Sequence, residues 1–305
     1  MILMKYRSSK SDIVFYIINA FIMLLVVVTT LYPFLNTLAV SFNNGQDSIR
    51  GGLTIFPRVF TLDNYKNVFA TGTLLNAFFV SVARTVLSAF FNVVLTVMLA
   101  YCLSRKDFVL RKFITTVLVL TMYFNAGLIP GFMLIKDLGM YDTFAVYIVP
   151  GLISAFNVII VRTYIESLPE SIIESCRIDG AGDFTICFRI VFPLAIPAIA
   201  VVGLFCAIGA WNSWFDTLLY CSTDQNLSTL QFELQKILTN SFALSGQSAV
   251  QSYGNSLKSS EFNNSTTPLT IQAATTIVAI VPILFVYPLV QKYFVGGLVI
   301  GGVKE

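Results

Sequence analysis

Apolar residues fill this chain in long unbroken blocks rather than in alternating or striped patterns. Residues 13–46, 113–135, 143–161, 190–215 and 262–291 contain no Asp, Glu, Lys or Arg, and 67–104 is interrupted only by Arg84. Each block supplies the ~20 residues that a helix rising ~1.5 Å per residue needs to cross a ~30 Å hydrocarbon layer. The pattern predicts six membrane-spanning helices. A spanning barrel would show short segments of alternating polarity instead. The expected fold class is an all-α integral membrane protein.

Composition agrees. The 305 residues are 56% hydrophobic and 11% charged, with a mean hydropathy of +0.79, whereas soluble domains carry about 25% charge. The first apolar block is too long for a cleavable signal and no small-residue cleavage site closes it. It reads as the first span, preceded by Lys5, Arg7 and Lys10. Cys102, Cys176, Cys187, Cys206 and Cys221 form no C-x-x-C pair and read as small packing residues. Histidine is absent, which removes His-based catalysis and His metal sites. A net charge of +3 is too small to imply a nucleic-acid partner.

The basic residues orient the spans. An even number of crossings places both termini on one side. That side gathers most of the 19 Lys and Arg, including Arg105, Lys106, Arg111 and Lys112 in one short loop. The positive-inside bias makes it cytoplasmic. The chain then divides into a cytoplasmic tail 1–12, a membrane body 13–294 and a cytoplasmic tail 295–305. Three loops lie outside. The first, 41–73, carries Gly51, Gly52 and Pro57 and reads as irregular; the second, 136–142, reads as a tight turn. The third, 222–268, is polar, but Leu227, Leu230, Leu234, Ile237 and Leu238 recur at helical spacing. The short helix they predict either packs on lipid and its own spans or serves as a docking surface for an external partner.

The polar stretch 166–190 lies between two spans and must project into the cytoplasm. Ser167 and Glu170 fit a capping box, with Pro169 in the first turn. Ile172, Ile173 and Cys176 share one face; Glu170, Glu174 and Arg177 share another, where Glu174 and Arg177 are spaced to pair. Gly180 and Gly182 end the helix. A second short helix runs from about Asp183 into the next span, entered at Pro193. Such a piece can move as a rigid knob when pushed.

Polar residues inside spans are the candidates for substrate contact. Trp211, Asn212, Trp214 and Asp216 combine aromatic faces with amide and carboxylate groups, the chemistry that suits sugar rings. The aromatic pair equally suits an interfacial belt. Asn125 and Asn157 either line a path or join helices. Arg84 lies about ten residues into its span, ~15 Å deep. A charge there costs at least ~2.5 kcal/mol unless paired or hydrated, so it either pairs with an acid such as Asp216 or faces a pathway. No G-x-x-x-x-G-K-[ST] phosphate loop is present, so ATP-driven work would need a separate chain. An ion-driven transporter would place acids near the midplane of broken helices, and the spans lack paired acids. An intramembrane enzyme has neither histidine nor a clustered Ser, Asp or Cys motif to support it.

Glu174-Ser175-Cys176, then Asp179-Gly180-Ala181, then Phe188, Ile190 and Pro193 resemble the EAA motif of bacterial ABC importer permeases. That pattern is EAA, three residues, Gly, nine residues, Ile, one residue, Leu-Pro. Counted from Glu174, Gly180, Ile190 and Pro193 fall in register. Ser175 and Cys176 replace the paired alanines with other small residues, and Phe192 replaces Leu. The stretches 125–130 and 134–139, and Trp211-Asn212-Ser213-Trp214, look like the carbohydrate-uptake branch. The third-span stretch is most similar to permeases for complex oligosaccharides and polysaccharide fragments. The tail from Tyr293-Phe294-Val295 to Gly301-Gly302-Val303-Lys304 is similar to the end of the smaller permease of the maltose-type transporter, departing from it at Gly296 and Glu305.

The resemblance implies a type I ABC importer permease in the bacterial inner or plasma membrane. It implies ATPase coupling through Glu174, Ser175, Cys176, Asp179, Gly180, Ala181, Ile190 and Pro193. The implied partners are a related second permease forming a heterodimer, two copies of a cytoplasmic ABC ATPase, an external solute-binding protein, a sugar and the lipid bilayer. No cofactor or metal would be bound directly, and ATP and Mg would be used by the ATPase. The cytoplasmic motif alone leaves open a permease for another solute, such as peptides or phosphate.

Overall fold

The computed structural model describes residues 10–70, 72–245 and 266–297. Among them every regular element is helical, and a single isolated bridge pairs Asn43 with Phe60. The helices are α1 (Lys10–Ser41), α2 (Gly45–Ile49), α3 (Asp63–Ala70), α4 (Thr73–Ser104), α5 (Arg111–Tyr123), α6 (Leu128–Asp137), α7 (Ala155–Glu166), α8 (Glu170–Ile178), α9 (Asp183–Thr185), α10 (Phe192–Leu194), α11 (Ile196–Asn212), α12 (Phe215–Tyr220), α13 (Leu230–Ser245) and α14 (Pro268–Gly297). Tight 3-10 turns cover Phe144–Tyr147 and Val149–Gly151, and a π-helical turn covers Ile186–Val191.

Among the described residues, three helical stretches are long and apolar enough to cross a membrane unaided: Asp12–Ser41, Thr73–Ser104 and Pro268–Pro288. Two bent pairs raise the number to five. Phe144–Gly151 meets Ala155–Glu166 at 48°, and Asp183–Leu194 meets Ile196–Asn212 at 83°. The sharper bend falls at Ala195, flanked by Pro193 and Pro197, whose rings remove backbone donors and clash with a continuing helix. The block 113–135 is not the single helix expected from its hydropathy. It splits into α5, of 13 residues, and α6, of 10. Between them Asn125 Oδ1 accepts the Gly127 N–H at 2.8 Å, and Gly127 takes φ +90°. This Asx turn ends the first helix where hydropathy alone sees no break. Among the described residues the helices apolar enough to span therefore number three, or up to five with each bent pair counted as one.

The chain divides into two units. One comprises Met1–Ala70 and Ile237–Val278. Its α1 is exposed at every position from 13 to 34. A helix apolar on all sides cannot present that surface to water. The loop after α1 is more ordered than its glycines suggest, because α2 and α3 are built on buried amides. Asn43 Nδ2 donates to Asp47 Oδ2 and Ser48 Oγ, each at 2.9 Å. Asn64 Nδ2 donates to the Ser41 and Asn43 carbonyls, also at 2.9 Å.

The other unit comprises Thr71–Lys236 and Ala279–Glu305. Its larger apolar cluster is one in which Val97, Ala100 and Leu103 of α4 meet Val158, Val161 and Ile165 of α7 and Ile199 and Val202 of α11. Ile173 of α8 and Ile186 and Val191 of the π-helical turn belong to the same cluster. The helix predicted around 227–238 forms as α13. Leu230 and Phe232 are buried, and the Leu230 N–H donates to Ser81 Oγ of α4 at 2.8 Å. The start of this helix thus packs on its own span. The expected tails 1–12 and 295–305 lie largely outside the described residues, as do 246–265 of the third outer loop and the final part of the tail motif.

Candidate functional site

The projecting segment is built around α8. Glu170 lies in its first turn and Arg177 in its last, each where the helix dipole favours that charge. The helix stops at Asp179. Gly180 follows with φ +82°, its N–H donating to the Arg177 carbonyl at 3.0 Å, and the Ala181 N–H donates to the Cys176 carbonyl at 2.9 Å. These paired bonds form a Schellman cap, which needs a residue that tolerates left-handed backbone at its centre. Ile173, only 3% exposed, plugs the apolar face into the core. Burying such a side chain stabilises by about 1.5–3 kcal/mol.

Two contacts expected in this segment are replaced by others. Ser167 does not cap α8. Its hydroxyl donates to the Tyr164 carbonyl at 2.7 Å at the end of α7, and Pro169 occupies the N-cap of α8. Glu174 does not take Arg177. Instead Arg177 Nη1 donates to Asp107 Oδ2 at 2.9 Å, and Nη2 lies 3.5 Å from Asp183 Oδ1. Lys106 Nζ donates to Glu170 Oε2 at 2.7 Å. The loop after α4 thereby grips α8 at both ends. Glu174, Ser175, Asp179 and Gly180 remain exposed on the outward face, whereas Cys176, Ala181 and Ile190 are half-buried and Pro193 is exposed.

These pairs carry a pH signature. The Arg177 guanidinium holds the Asp107 carboxyl below the usual carboxylate range, and the Lys106 ammonium does the same for Glu170. A depressed carboxylate contributes stability above its unfolded pKa of about 4 and loses it as pH falls through the folded value. Amide exchange across 170–178, corrected for intrinsic rate, is expected to stay constant from neutral pH down to about 5 and to rise below about 4. A change confined to the range above pH 5 would assign the restraint to other groups.

The second feature is a polar cavity of about 470 Å³ within the helices of the same unit, lined by Arg84, Asn92, Tyr147, Asn157, Cys206 and Asp216 among others. Arg84 is 3% exposed. Its Nη2 forms an ion pair with Asp216, its Nη1 donates to the Ser213 carbonyl at 3.1 Å, and its guanidinium lies 4.5 Å from the Tyr147 ring centroid. Its Nε is buried without a hydrogen-bond partner among the described residues. Ser213 Oγ also donates to Asp216, at 2.8 Å. Asn92 forms a second node. Its Nδ2 donates to the Gly151 carbonyl at 2.8 Å, and its Oδ1 lies 3.3 Å from Asn157 Nδ2 and 3.0 Å from Cys206 Sγ.

Of the candidate contact residues, the structure gathers Arg84, Asn157 and Asp216 around this cavity. The others lie elsewhere. Trp211 is buried, donates from Nε1 to the Ala279 carbonyl at 3.0 Å, and lines a separate apolar cavity of about 220 Å³ with Val82, Leu204, Ile208 and Pro282. Asn212 is exposed and accepts from Gln231 at 3.4 Å; Trp214 packs edge-on against Phe215. Asn125 serves the turn between α5 and α6. Asn92 and Tyr147 are cavity residues that sequence reading misses. Their signal is nevertheless present: Arg84, Ser88, Asn92 and Thr96 follow one another at four-residue intervals, a polar stripe on an otherwise apolar helix.

Comparison with known proteins adds four findings. Residues 92–299 match the family described as "Binding-protein-dependent transport system inner membrane component". The chain is 34% identical over 290 residues to the polygalacturonan/rhamnogalacturonan transport system permease protein YtcP of Bacillus subtilis (strain 168), covering 94% of this chain and 97% of that protein. It is 28% identical over 282 residues to the arabinooligosaccharides transport system permease protein AraQ of Halalkalibacterium halodurans, covering 90% and 91%. A solved bacterial ABC transporter involved in import of the acidic polysaccharide alginate contains a chain that superposes with a TM-score of 0.82 at 30% identity, over 94% of this chain and 99% of that one.

Proposed function

This chain belongs to the family of binding-protein-dependent transport system inner membrane components, and from that premise we propose that it is a pore subunit of an ATP-driven importer of sugars, with oligosaccharides as the substrate class. The observation that carries the reading is the anchoring of α8. Ile173 seats this exposed, charged helix in the same core as α4, α7 and α11. A push on α8 is thereby delivered to the spans rather than absorbed by a loop. The EAA-like residues Glu174, Ser175, Cys176, Asp179, Gly180, Ala181, Ile190 and Pro193 are the proposed contact and transmission set.

In this reading α5 and α6 together form a broken third span, the chain crosses six times, and both termini are cytoplasmic. The positive-inside distribution supports that orientation. ATP and Mg are used by a separate ABC ATPase present in two copies, a related permease completes the pore as a heterodimer, and an external binding protein delivers the solute. Sugar as cargo is supported by the saccharides for which the similar permeases are named and by the cavity chemistry. Amides, hydroxyls and one ion pair offer hydrogen bonds to a polyol, and Arg84 is neutralised by Asp216. The reading is tested with the whole complex in lipid vesicles. ATP hydrolysis is expected to rise several-fold only when both the binding protein and its sugar are added. A rate indifferent to both overturns the importer; stimulation by a peptide- or phosphate-loaded binding protein instead overturns the sugar assignment.

A further inference from the structure

A third cavity, of about 850 Å³, opens beside the loop that grips α8, and its lining includes Lys106, Arg111, Lys112, Thr115, Thr116 and Arg162. We propose that it holds the phosphate of an anionic phospholipid. Among the described residues, no Asp or Glu lines it. The nearest compensation is incomplete: Glu166 is shared between Arg111, at 2.7 Å, and Arg162, at 2.9 Å, while Glu170 takes Lys106. Arg111 and Lys112 also lie in the first turn of α5, which has no acidic residue. That is the end of a helix where the dipole disfavours cations. Local charge placement is thus unfavourable in a way that a bound anion relieves.

The surface above the cations selects a lipid over free phosphate. Phe113, Val117 and Leu120 are exposed at 68%, 41% and 48% and recur at helical spacing along α5. Nearer the cations, Phe108 and Val109 themselves line the cavity, Val109 at 94% exposed, and give acyl chains an apolar wall beside the basic groups. Basic pockets beside membrane helices bind anionic headgroups through this combination, each Lys or Arg near the surface contributing about a five-fold preference. The inference uses the proposed cytoplasmic placement of the loop only to say which leaflet supplies the lipid.

The test uses the whole complex in nanodiscs of equal parts phosphatidylcholine and phosphatidylglycerol, with retained lipids counted by native mass spectrometry. Both leaflets are then identical, so orientation does not enter, and transport is scored separately. Phosphatidylglycerol is expected to be retained preferentially, the ratio falling about five-fold in Lys112→Gln and rising in Glu166→Gln. No preference in the unaltered complex, or ratios unmoved in both variants, overturns the site. Displacement of the lipid by millimolar inorganic phosphate assigns it to free phosphate and overturns the lipid. Loss of the ATPase from Lys112→Gln with an unchanged lipid ratio makes the surface a protein contact and likewise overturns it.

Discussion

Gly180→Val is expected to abolish most sugar uptake and most sugar-stimulated ATP hydrolysis while leaving the amount of chain in the membrane unchanged. Gly180 sits at φ +82°, and apart from its own atoms and those of its two chain neighbours no described atom lies within 4 Å of where a Cβ would stand. The penalty is therefore conformational rather than steric. A left-handed L-residue costs about 1–2 kcal/mol, and a β-branched one more. That shifts the population of the native turn by roughly five- to thirty-fold. The lost geometry is local, because α8 remains anchored through Ile173 while the Schellman bonds from Gly180 and Ala181 go. Gly180→Asn, which tolerates this backbone better, is expected to retain more activity. Labelled-sugar uptake and ATP hydrolysis in vesicles, with membrane content measured by immunoblot, decide the matter. Normal uptake in the valine variant would remove this turn from the coupling route.

Asp216→Leu is expected to have the largest effect on stability. It leaves the Arg84 side chain, 4% exposed, without its carboxylate. Breaking a buried pair on one side costs about 3–5 kcal/mol. Arg84→Leu should cost less, because Asp216 is 39% exposed and can be hydrated. The double replacement Arg84→Leu with Asp216→Leu should recover part of the loss, since no charge is then stranded. Melting temperatures of the purified complex test this order. If both single variants assemble and melt normally but change which sugars are taken up, the pair acts as a substrate contact rather than a brace.

The parts of this protein legible in the sequence are those governed by the cost of placing charge in lipid. Charge-free blocks locate the membrane helices, and the EAA-like spacing locates α8 with its glycine turn. Interruptions within apolar blocks are harder to read, because Asn125, Gly127, Pro193 and Pro197 barely alter the average polarity that defines a span. Side-chain pairing is least legible. Ser167 reads as a cap from its spacing to Glu170, yet its hydroxyl is taken by the preceding helix. Arg177 reads as a partner for Glu174, yet it is drawn to Asp107, which lies 70 residues away in the chain. The Arg84–Asp216 pair, across 132 residues, is suggested by the cost of an isolated intramembrane charge. The role of Asn92 requires seeing that its helix carries a polar stripe.

The turn between α5 and α6 has a consequence for assembly. In the proposed topology it falls near the middle of the third crossing, and residues 121–130 are exposed along their whole length. Hydrocarbon offers nothing to the peptide groups that such an interruption frees, so non-helical backbone survives at that depth only when enclosed by protein or facing an aqueous lumen. A solitary copy of this chain would leave those groups stranded among acyl tails. The kink is thus a built-in demand for company: it makes the subunit unfit for lipid on its own and ties its persistence to whichever chain closes over that side.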